Sequence, residues 1–546
     1  MDERHVYDVC VIGSGPAGIT FLLEYAHLNP QKKMLVIEYG QKGQQGKNQL
    51  DESIKINNPV NHHNPYECTN KGLGGTSATW GGRCVMYDDI DFIDRPVVNG
   101  GCTWGLGLFD EVSAYVPRAA HYFECGAPIF NLHKSPKFQG KHIVPDFKEG
   151  IVSDSIIERW SMPTRFGKRY GKEIAEHKNI TLLEGFEARD FGQPDAGGKV
   201  RKLTIREVET GKLQEVHAEA FVIASGAQES TRILLRNPQL FARLGGVPDA
   251  LGRYYQSHLS GKIASVVFNH DPKKTEFGFL KDADGTYVRR RFQFNTDFLV
   301  KNNLLNTAIW LDNPLYFDPK HKSGAMSFMY LAMITPFLGK KLAPPAIAHS
   351  ITKGKVTGIP QHVGNIARQL PGSLAVPANI FYKRYFNRRK LPGVFLYSPE
   401  NQYALHFHSE QIPDAANRMQ LAEDGETLVI NFELNEVDIR SVIKLHEVLD
   451  DWLQKHNCGK LKYWYPKEEL FSAIKKMSKD GIHQNGTTRI ADTPEEGVVD
   501  KDLKLFGTEN IFVCSSSAFP TSGQANPTFF LGAFAVRLAN HLASIE

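Results

Sequence analysis

Two polar side chains in the last part of the sequence are candidates for proton chemistry. His483 lies in GIHQNGTTRI among glycines and hydroxyl residues, and Asn526 precedes Pro527 and a long apolar run. A neutral imidazole accepts a proton near pH 7, so a histidine can act as a general base toward a hydroxyl group. An asparagine amide cannot act as a base at this pH, but it can hydrogen-bond the same hydroxyl and fix its direction.

Each of these residues also has a structural interpretation. The sequence holds 20 histidines, so any one of them, including His483, can be a core histidine held by backbone carbonyls. Asn526 followed by Pro527 matches an N-cap with proline at the first helical position, and TFFLGAFAVRLANHL predicts an amphipathic helix after it. The positive end of such a helix stabilises a nearby anion by about 0.3–1 kcal/mol.

A glycine-rich turn near the N-terminus predicts a nucleotide-binding element. An apolar strand pattern leads through Gly13, Gly15 and Gly18 into a helical pattern, and the next apolar segment, MLVIE, ends at Glu38. These glycines permit, in order, a tight turn, a close approach of the backbone to pyrophosphate, and packing of the helix on the strand. Glu38 is placed to accept hydrogen bonds from a ribose diol. The pattern does not separate FAD from NAD.

A second glycine-rich segment, GLGGTSATWGG, occupies residues 72–82. Glycine at this density permits positive φ angles and lets backbone amides approach a flat ligand, while the hydroxyls supply hydrogen bonds at its edge. The alternative is a hairpin or Ω-loop without a ligand. The candidate cofactor contacts here are Gly75, Thr76, Ser77, Thr79 and Trp80.

Several segments, in the same order along the chain, resemble the glucose-methanol-choline (GMC) oxidoreductases, in particular their pyranose oxidase and glycoside-oxidising branch. Besides the two glycine-rich segments they are FVIASGAQESTRILL (221–235), LGRYYQSH (251–258), SEQIPDAANRMQL (409–421) and the C-terminal block. The resemblance implies FAD and an α/β fold class. A Rossmann-type FAD-binding domain is then joined by a second, α+β substrate domain built on a large mixed sheet.

The resemblance also implies roles for individual residues. His483 matches the family's catalytic histidine at the reactive face of the flavin, and Asn526 matches its partner. Thr79 stands where some relatives tether the flavin through a histidine, so we expect noncovalent FAD, with His62 and His63 as alternative attachment points. The expected FAD-binding residues are Gly13, Gly15, Gly18, Glu38, Gly75, Thr76, Ser77, Thr79, Trp80, Ala224, Gly226, Ser517, Asn526, Pro527 and Thr528.

The expected reaction is oxidation of a CH–OH group of a sugar or glycoside to a carbonyl. The hydride goes to the flavin N5 and His483 accepts the hydroxyl proton. Two alternatives stay open: a flavoenzyme of the same fold that acts on a sterol, lipid or other non-sugar alcohol, and a noncatalytic FAD-binding subunit. The sequence does not choose among oxygen, a quinone and a redox partner as electron acceptor.

A chain of 546 residues is too long for a single core, so two connected domains are expected. Residues 1–100 and 195–260 form the expected FAD-binding domain, which 476–546 closes. Residues 101–194 connect and cover the FAD, and 261–475 form the substrate domain, where alternating patterns predict strands.

The segment 319–399, called the basic insert below, has no Asp or Glu but twelve Lys or Arg, mixed with proline, glycine and aromatic residues. Such a segment fits a lid, or a surface that contacts anionic lipid, an anionic substrate or a partner protein. The alternative is a solvated basic loop.

Composition and the first residues bear on three further classes: nucleic-acid-binding proteins, metal or disulfide proteins, and secreted or membrane proteins. A net charge of +4 over the whole chain implies no nucleic-acid partner. The seven cysteines are odd in number and lack metal-ligand spacing, so we expect them reduced and expect no metal. The start, MDERHVYDVCVIG, leaves no room for a signal peptide, and no run reaches roughly eighteen apolar residues. A cytoplasmic enzyme without a membrane span is expected.

Overall fold

The computed structural model describes residues 6–44, 52–98, 101–313, 315–335, 337 and 356–545. The strands are β1 (Val6–Ile12), β2 (Met34–Glu38), β3 (Ile54–Ile56), β4 (Arg83–Cys84), β5 (Val152–Ser153), β6 (Ile157–Trp160), β7 (Ile180–Glu184), β8 (Phe186–Phe191), β9 (Lys202–Glu207), β10 (Leu213–Ile223), β11 (His258–Phe268), β12 (Leu280–Lys281), β13 (Tyr287–Arg290), β14 (Gln293–Phe294), β15 (Thr307–Asp312), β16 (Gln402–Glu410), β17 (Arg418–Leu421), β18 (Leu428–Asn431), β19 (Gly459–Tyr463) and β20 (Ile511–Val513). The helices are α1 (Pro16–Leu28), α2 (Pro65–Cys68), α3 (Leu106–Ser113), α4 (Val116–Phe123), α5 (Phe166–Glu176), α6 (Gly226–Arg236), α7 (Thr296–Lys301), α8 (Gly324–Ile334), α9 (Ile359–Arg368), α10 (Gly372–Tyr385), α11 (Glu436–Lys455), α12 (Leu470–Met477) and α13 (Pro527–Ile545).

Seven strands of the described chain form the sheet of the nucleotide-binding domain. β1 lies between β2 and β10, and these three strands run parallel. β7 pairs in parallel with β2 and β20 with β10, while β9 and β8 continue the sheet in antiparallel order. β1 and β2 are buried along nearly their whole length, as a parallel sheet covered on both faces requires. The predicted Rossmann-type domain is confirmed.

β7 belongs to this sheet, although the sequence places its residues in another segment. It pairs with β2 but lies inside 101–194, the segment expected to connect and cover the FAD. The prediction missed the strand because a short ITLLE run, only partly buried, does not by itself distinguish strand from helix.

The C-terminal helix α13 packs against α1 beside the nucleotide sheet. It was predicted to be amphipathic, but it is buried on nearly all sides. By length and composition α13 is also apolar enough to cross a membrane, although its sequence is not an unbroken apolar run. Because 67% of its most apolar window is buried inside the protein, it is a core helix here.

The described strands of the substrate domain form two four-stranded antiparallel sheets rather than one large mixed sheet. The first, called the substrate sheet below, has the order β15-β16-β11-β19 and shares a core with α11. The second has the order β12-β13-β6-β4, and two of its strands, β6 and β4, come from before residue 261, where the substrate domain was predicted to begin. β18, predicted for the same domain, pairs with β3 and β17 instead. Alternating patterns identify strands, but they do not identify the partner of each strand.

Candidate active site

The glycines of the first turn pack the chain tightly at two points and leave it open at a third. Gly13 has φ +98°, and a Cβ there would lie 2.7 Å from the carbonyl oxygen of Ala224. A Cβ on Gly18 would lie 2.2 Å from the carbonyl oxygen of Gly13, so this glycine lets α1 approach the turn. Gly15 differs, because no atom lies within 4 Å of such a Cβ. The open space at Gly15 adjoins the N-terminus of α1, which favours an anion such as pyrophosphate.

Glu38 lies at the edge of this turn, and the protein already engages its carboxylate. Oε2 accepts hydrogen bonds from the backbone N–H and the hydroxyl of Ser14, at 3.1 and 2.6 Å. Oε1 accepts hydrogen bonds from the amides of Gly40 and Gly72, each at 2.8 Å. Glu38 therefore ties β2 to both glycine-rich segments. Its bonds to a ribose diol stay a prediction.

A cavity of about 510 Å³ connects the two glycine-rich segments with His483. The predicted FAD-binding residues that line it are Gly13, Gly15, Glu38, Gly75, Thr76, Ser77, Thr79, Trp80, Ala224, Gly226, Asn526, Pro527 and Thr528. Gly18 is not among the lining residues, since it serves the packing of α1. Thirteen of the 15 predicted FAD-binding residues therefore line one cavity, although they come from segments far apart in the chain.

Ser517 is a correction to that prediction. Its hydroxyl accepts a hydrogen bond from the hydroxyl of Thr488 at 2.7 Å, and its side chain is fully buried. Ser515 and Ser516 line the cavity instead. The chain makes a single 3₁₀ turn at these serines, so Ser517 points into the protein and holds the segment that follows His483.

His483 and Asn526 meet in the cavity. Nδ2 of Asn526 lies 2.6 Å from Nε2 of His483, although 43 residues separate them in the chain. Oδ1 of Asn526 is buried and has no hydrogen-bond partner within the described ranges. The helix-cap interpretation of Asn526 is therefore wrong, since a cap requires that oxygen to accept a backbone N–H of α13.

Asp480 holds the other ring nitrogen of His483. Its Oδ2 lies 3.2 Å from Nδ1 of His483 and 3.3 Å from Nδ1 of His258. Burial opposes ionisation of Asp480, but the two imidazoles outweigh burial and hold the pKa of the carboxyl well below its ordinary value. The ionised carboxylate accepts a hydrogen bond from Nδ1–H of His483, which directs the lone pair of Nε2 toward Asn526. This is the tautomer that a general base requires.

Two further histidines face His483 from the substrate sheet. His258 on β11 and His408 on β16 stack with ring centroids 4.0 Å apart. Their centroids lie 5.1 and 5.4 Å from that of His483. Burial lowers the pKa of both rings, and that of His408 falls further because imidazoles surround it, so both are neutral near pH 7. The site therefore places one carboxylate among three imidazoles.

Sequence reasoning missed these three neighbours of His483. His258 ends the quoted segment LGRYYQSH, but no spacing links it to His408 or Asp480, because the antiparallel pairing of β11 with β16 brings them together. Ligand atoms of the four residues lie within 4.8 Å of one another, a spacing that would also suit a metal ion. In this arrangement Nδ1 of His483 and Nδ1 of His258 lie 3.2 and 3.3 Å from the Asp480 carboxylate, and Nδ1 of His408 lies 2.7 Å from the carbonyl oxygen of Gln524.

The cavity wall fits a dinucleotide cofactor such as FAD. Gly15 leaves open space at the helix N-terminus, and Gln228 at the start of α6 lines the same cavity. Both amide atoms of Gln228, like Oδ1 of Asn526, are buried without a hydrogen-bond partner in the described part of the chain. Buried polar atoms of this kind indicate a ligand, because an unsatisfied buried group is costly.

Comparison with known proteins agrees with this geometry. Residues 413–535 match the C-terminal model of the GMC oxidoreductases. The chain is 22% identical to paromamine 6'-oxidase of Streptomyces fradiae, across 99% of this chain and 92% of the relative. The same figures hold for 6'''-hydroxyparomomycin C oxidase of Streptomyces lividus. An FAD-dependent oxidoreductase from Chaetomium thermophilum shares the fold, with a TM-score of 0.53, 14% identity and 98% of each chain covered.

The segment that matches the family model contains both His483 and Asn526, the two residues that the resemblance singled out. The two Streptomyces oxidases align over nearly the whole chain, and the FAD-dependent neighbour shares the fold. The chain is therefore similar to the GMC oxidoreductases, over residues 413–535 by their family model and over nearly its whole length by these relatives.

Proposed function

We propose that the protein uses FAD to oxidise a CH–OH group of a sugar or glycoside to a carbonyl. The observation that carries this proposal is the His483–Asn526 pair, whose Nε2 and Nδ2 atoms lie 2.6 Å apart in the cavity lined by the predicted FAD-binding residues. Bound FAD supplies the acceptor for the hydride that leaves the carbon. The protein must supply a base for the hydroxyl proton and groups that orient the alcohol.

The residues around Nε2 of His483 meet these requirements. The amide N–H of Asn526 occupies the lone pair of Nε2, and a substrate hydroxyl takes its place when it binds. The hydroxyl then donates to Nε2, and the amide of Asn526, whose oxygen is unsatisfied, is beside it to fix its direction. His483 accepts the hydroxyl proton at Nε2 and becomes an imidazolium. Asp480 stabilises that charge because its carboxylate is ionised and contacts Nδ1.

Support for a sugar comes from the relatives. The two proteins that align over nearly the whole chain are oxidases of paromamine and of hydroxyparomomycin C, which are aminoglycoside oxidases. Noncovalent attachment of FAD is supported by Thr79 in the second glycine-rich segment, where a tethering histidine would stand. His62 and His63 do not line the cavity, and Nε2 of His62 lies 2.7 Å from the hydroxyl of Tyr255.

Anaerobic mixing of the purified flavoprotein with a panel of sugars, glycosides, sterols and simple alcohols tests the proposal. We expect sugars or glycosides to bleach the flavin absorbance faster than the other alcohols do. Bleaching by sterols or simple alcohols alone would contradict the sugar assignment, and a flavin that no alcohol bleaches would contradict the oxidoreductase itself. Acid precipitation of the same sample is expected to release FAD into the supernatant, whereas flavin retained in the pellet contradicts noncovalent attachment.

We further propose that the basic insert docks on an anionic lipid surface. Part of it, at residues 336 and 338–355, lies outside the described chain. Its helices α9 and α10 expose large apolar side chains, namely Ile359, Val363, Leu374, Val376, Phe381, Tyr382 and Tyr385, followed by Phe386. Contact between two copies of this acid-free surface would oppose cations to cations, whereas an anionic bilayer complements both its charge and its apolar groups.

Sedimentation with vesicles tests this surface. We expect the protein to pellet with vesicles that contain phosphatidylglycerol and not with pure phosphatidylcholine. The double variant Phe381→Ser/Phe386→Ser should weaken binding roughly tenfold or more, because two exposed aromatic side chains are lost from the interface. Leu213→Ser, at an exposed apolar residue of β10, serves as the control and should bind as the wild type does. Equal pelleting with and without anionic lipid would overturn the proposal.

A further inference from the structure

A group of buried arginines lies beside the active site. Arg83 on β4 and Arg289 on β13 flank Glu158 on β6, because these strands are neighbours in the second four-stranded sheet. Glu158 is fully buried, and both guanidinium groups contact its carboxylate. Arg291 follows β13 and is also buried. Three guanidinium groups therefore surround one carboxylate.

The charges in this group do not balance. Nε of Arg289 donates to Oε1 of Glu158 at 2.7 Å, so the Glu158 carboxylate offsets the charge of Arg289. Arg291 donates to Oε1 of Gln524 at 2.7 Å, and Nε2 of Gln524 donates to the carboxylate of Asp88 at 2.8 Å. Asp88 thus offsets the charge of Arg291. Arg289 and Arg83 share the two oxygens of the Glu158 carboxylate, so this group of three guanidinium groups and two carboxylates carries one positive charge in excess.

Arg83 borders the cavity that contains His483 and Asn526. Its side chain is 17% exposed, and Nη2 is buried without a hydrogen-bond partner in the chain that the structure describes. The guanidinium lies 4.3 Å from the centroid of the Trp310 ring, which holds its plane in place. Burial lowers the pKa of Arg83 to about 10, so it is protonated at neutral pH.

Arg83 is also close to the catalytic histidines. Burial lowers the pKa of His408 most, then the adjacent imidazoles, and the charge of Arg83 lowers it further. The rings of Trp310 and His408 lie 6.2 Å apart, and those of His408 and His483 lie 5.4 Å apart. Arg83 and His483 line the same cavity of about 510 Å³, so a sugar whose hydroxyl is at His483 shares that cavity with the Arg83 side chain.

We propose that Arg83 binds a carboxylate of the substrate, and hence that the substrate is an acidic sugar such as a uronic acid or its glycoside. The proposal rests on the sugar oxidation proposed above. A guanidinium has a planar set of N–H donors that matches a carboxylate with two parallel hydrogen bonds. A bound carboxylate supplies the missing counter-charge and the partner that Nη2 lacks. A neutral sugar leaves both unsatisfied, so it binds less well.

Anaerobic isothermal titration of the flavin-loaded protein, with its flavin reduced beforehand so that it accepts no hydride, tests the subsite without turnover. The ligands are D-glucuronate and D-galacturonate, each compared with its methyl ester. We expect the acids to bind roughly 10- to 100-fold more tightly than the esters, as hydrogen bonds to a charged group require. Arg83→Gln should remove this preference, and Arg83→Lys should restore part of it. Arg118→Gln removes a guanidinium paired with Glu24 outside the cavity wall and should leave the preference unchanged.

Equal affinity of the wild type for acids and esters would overturn the proposal, and this comparison requires no variant to fold. Retention of the preference in Arg83→Gln would also overturn it. A shift of the flavin reduction potential in Arg83→Gln with no change in selectivity would assign the charge to the flavin instead. If the acids bind through Arg83 but no sugar bleaches the flavin, the subsite stands and the proposed oxidation fails. If neutral sugars bleach the flavin and the acids bind no better than their esters, the proposed oxidation stands and the subsite at Arg83 fails.

Discussion

The His483→Ala variant is expected to retain its FAD and to lose most of its reaction with substrate. The rate of anaerobic flavin reduction should fall roughly 10²- to 10⁴-fold, the usual contribution of a positioned general base. The substitution removes the atom that accepts the hydroxyl proton. It leaves intact the turn at Gly13 and Gly15 that the cofactor requires, because the imidazole bonds only to Asp480 and Asn526 among the described side chains.

Stopped-flow spectroscopy of the reduced and oxidised flavin bands measures this rate, and the absorbance of the purified protein reports its flavin content. His541→Ala on α13, outside the cavity wall, is the matched control and should reduce at the wild-type rate. Unchanged reduction in His483→Ala removes the base assignment. Loss of flavin from that variant would instead show that His483 serves cofactor binding.

The Asp480→Asn variant is expected to be slowed by roughly 10²-fold or more, although Asp480 itself does not line the cavity. The ionised carboxylate fixes the proton of His483 on Nδ1 and stabilises the imidazolium. An amide in its place can donate to Nδ1 through its N–H, which favours the proton on Nε2, the wrong tautomer for a base. The near-isosteric change preserves an oxygen for the backbone N–H of Ile482, which donates to Oδ1 at 2.8 Å.

The pH dependence of flavin reduction distinguishes this positioning role from a structural one. We expect the pH profile of flavin reduction in Asp480→Asn to differ from that of the wild type, since the imidazolium of His483 loses its counter-charge. Asp438→Asn is the control, because Asp438 is an equally buried carboxylate that caps α11 away from the cavity wall. A slow Asp480→Asn variant with the pH profile of the wild type would indicate disturbed structure, and a wild-type rate would show that His483 does not need the carboxylate.

The sequence allowed the nucleotide-binding half of the site to be predicted because its residues are local. Gly13, Gly15, Gly18 and Glu38 occur within one strand-turn-helix-strand unit. A Cβ on Gly13 or Gly18 would clash with the backbone, and a Cβ on Gly15 would enter the open space in front of α1. The pairing of His483 with Asn526 is not local, and only the resemblance to a family indicated it. Strand β20, in the closing segment 476–546, pairs in parallel with β10 and so completes the parallel part of this sheet.

The remaining residues of the site depend on pairings that a sequence pattern does not specify. His258 and His408 come together because antiparallel β11 and β16 pair Ser260 with His408, and no spacing rule anticipates that register. Arg83 joins Arg289 through strands more than 200 residues apart. Ser517 was misassigned because the direction of a side chain in a single 3₁₀ turn depends on its tertiary contacts, here with Thr488.

A crystal structure of the flavin-loaded protein with an unreactive substrate analogue shows whether His483 and Asn526 hold one substrate hydroxyl at the flavin. We expect Nε2 of His483 and the amide of Asn526 both to lie about 3 Å from one hydroxyl oxygen of the analogue, with the carbon that bears it facing the flavin N5. An isoalloxazine ring bound away from His483, or an analogue whose hydroxyls contact neither residue, would contradict it.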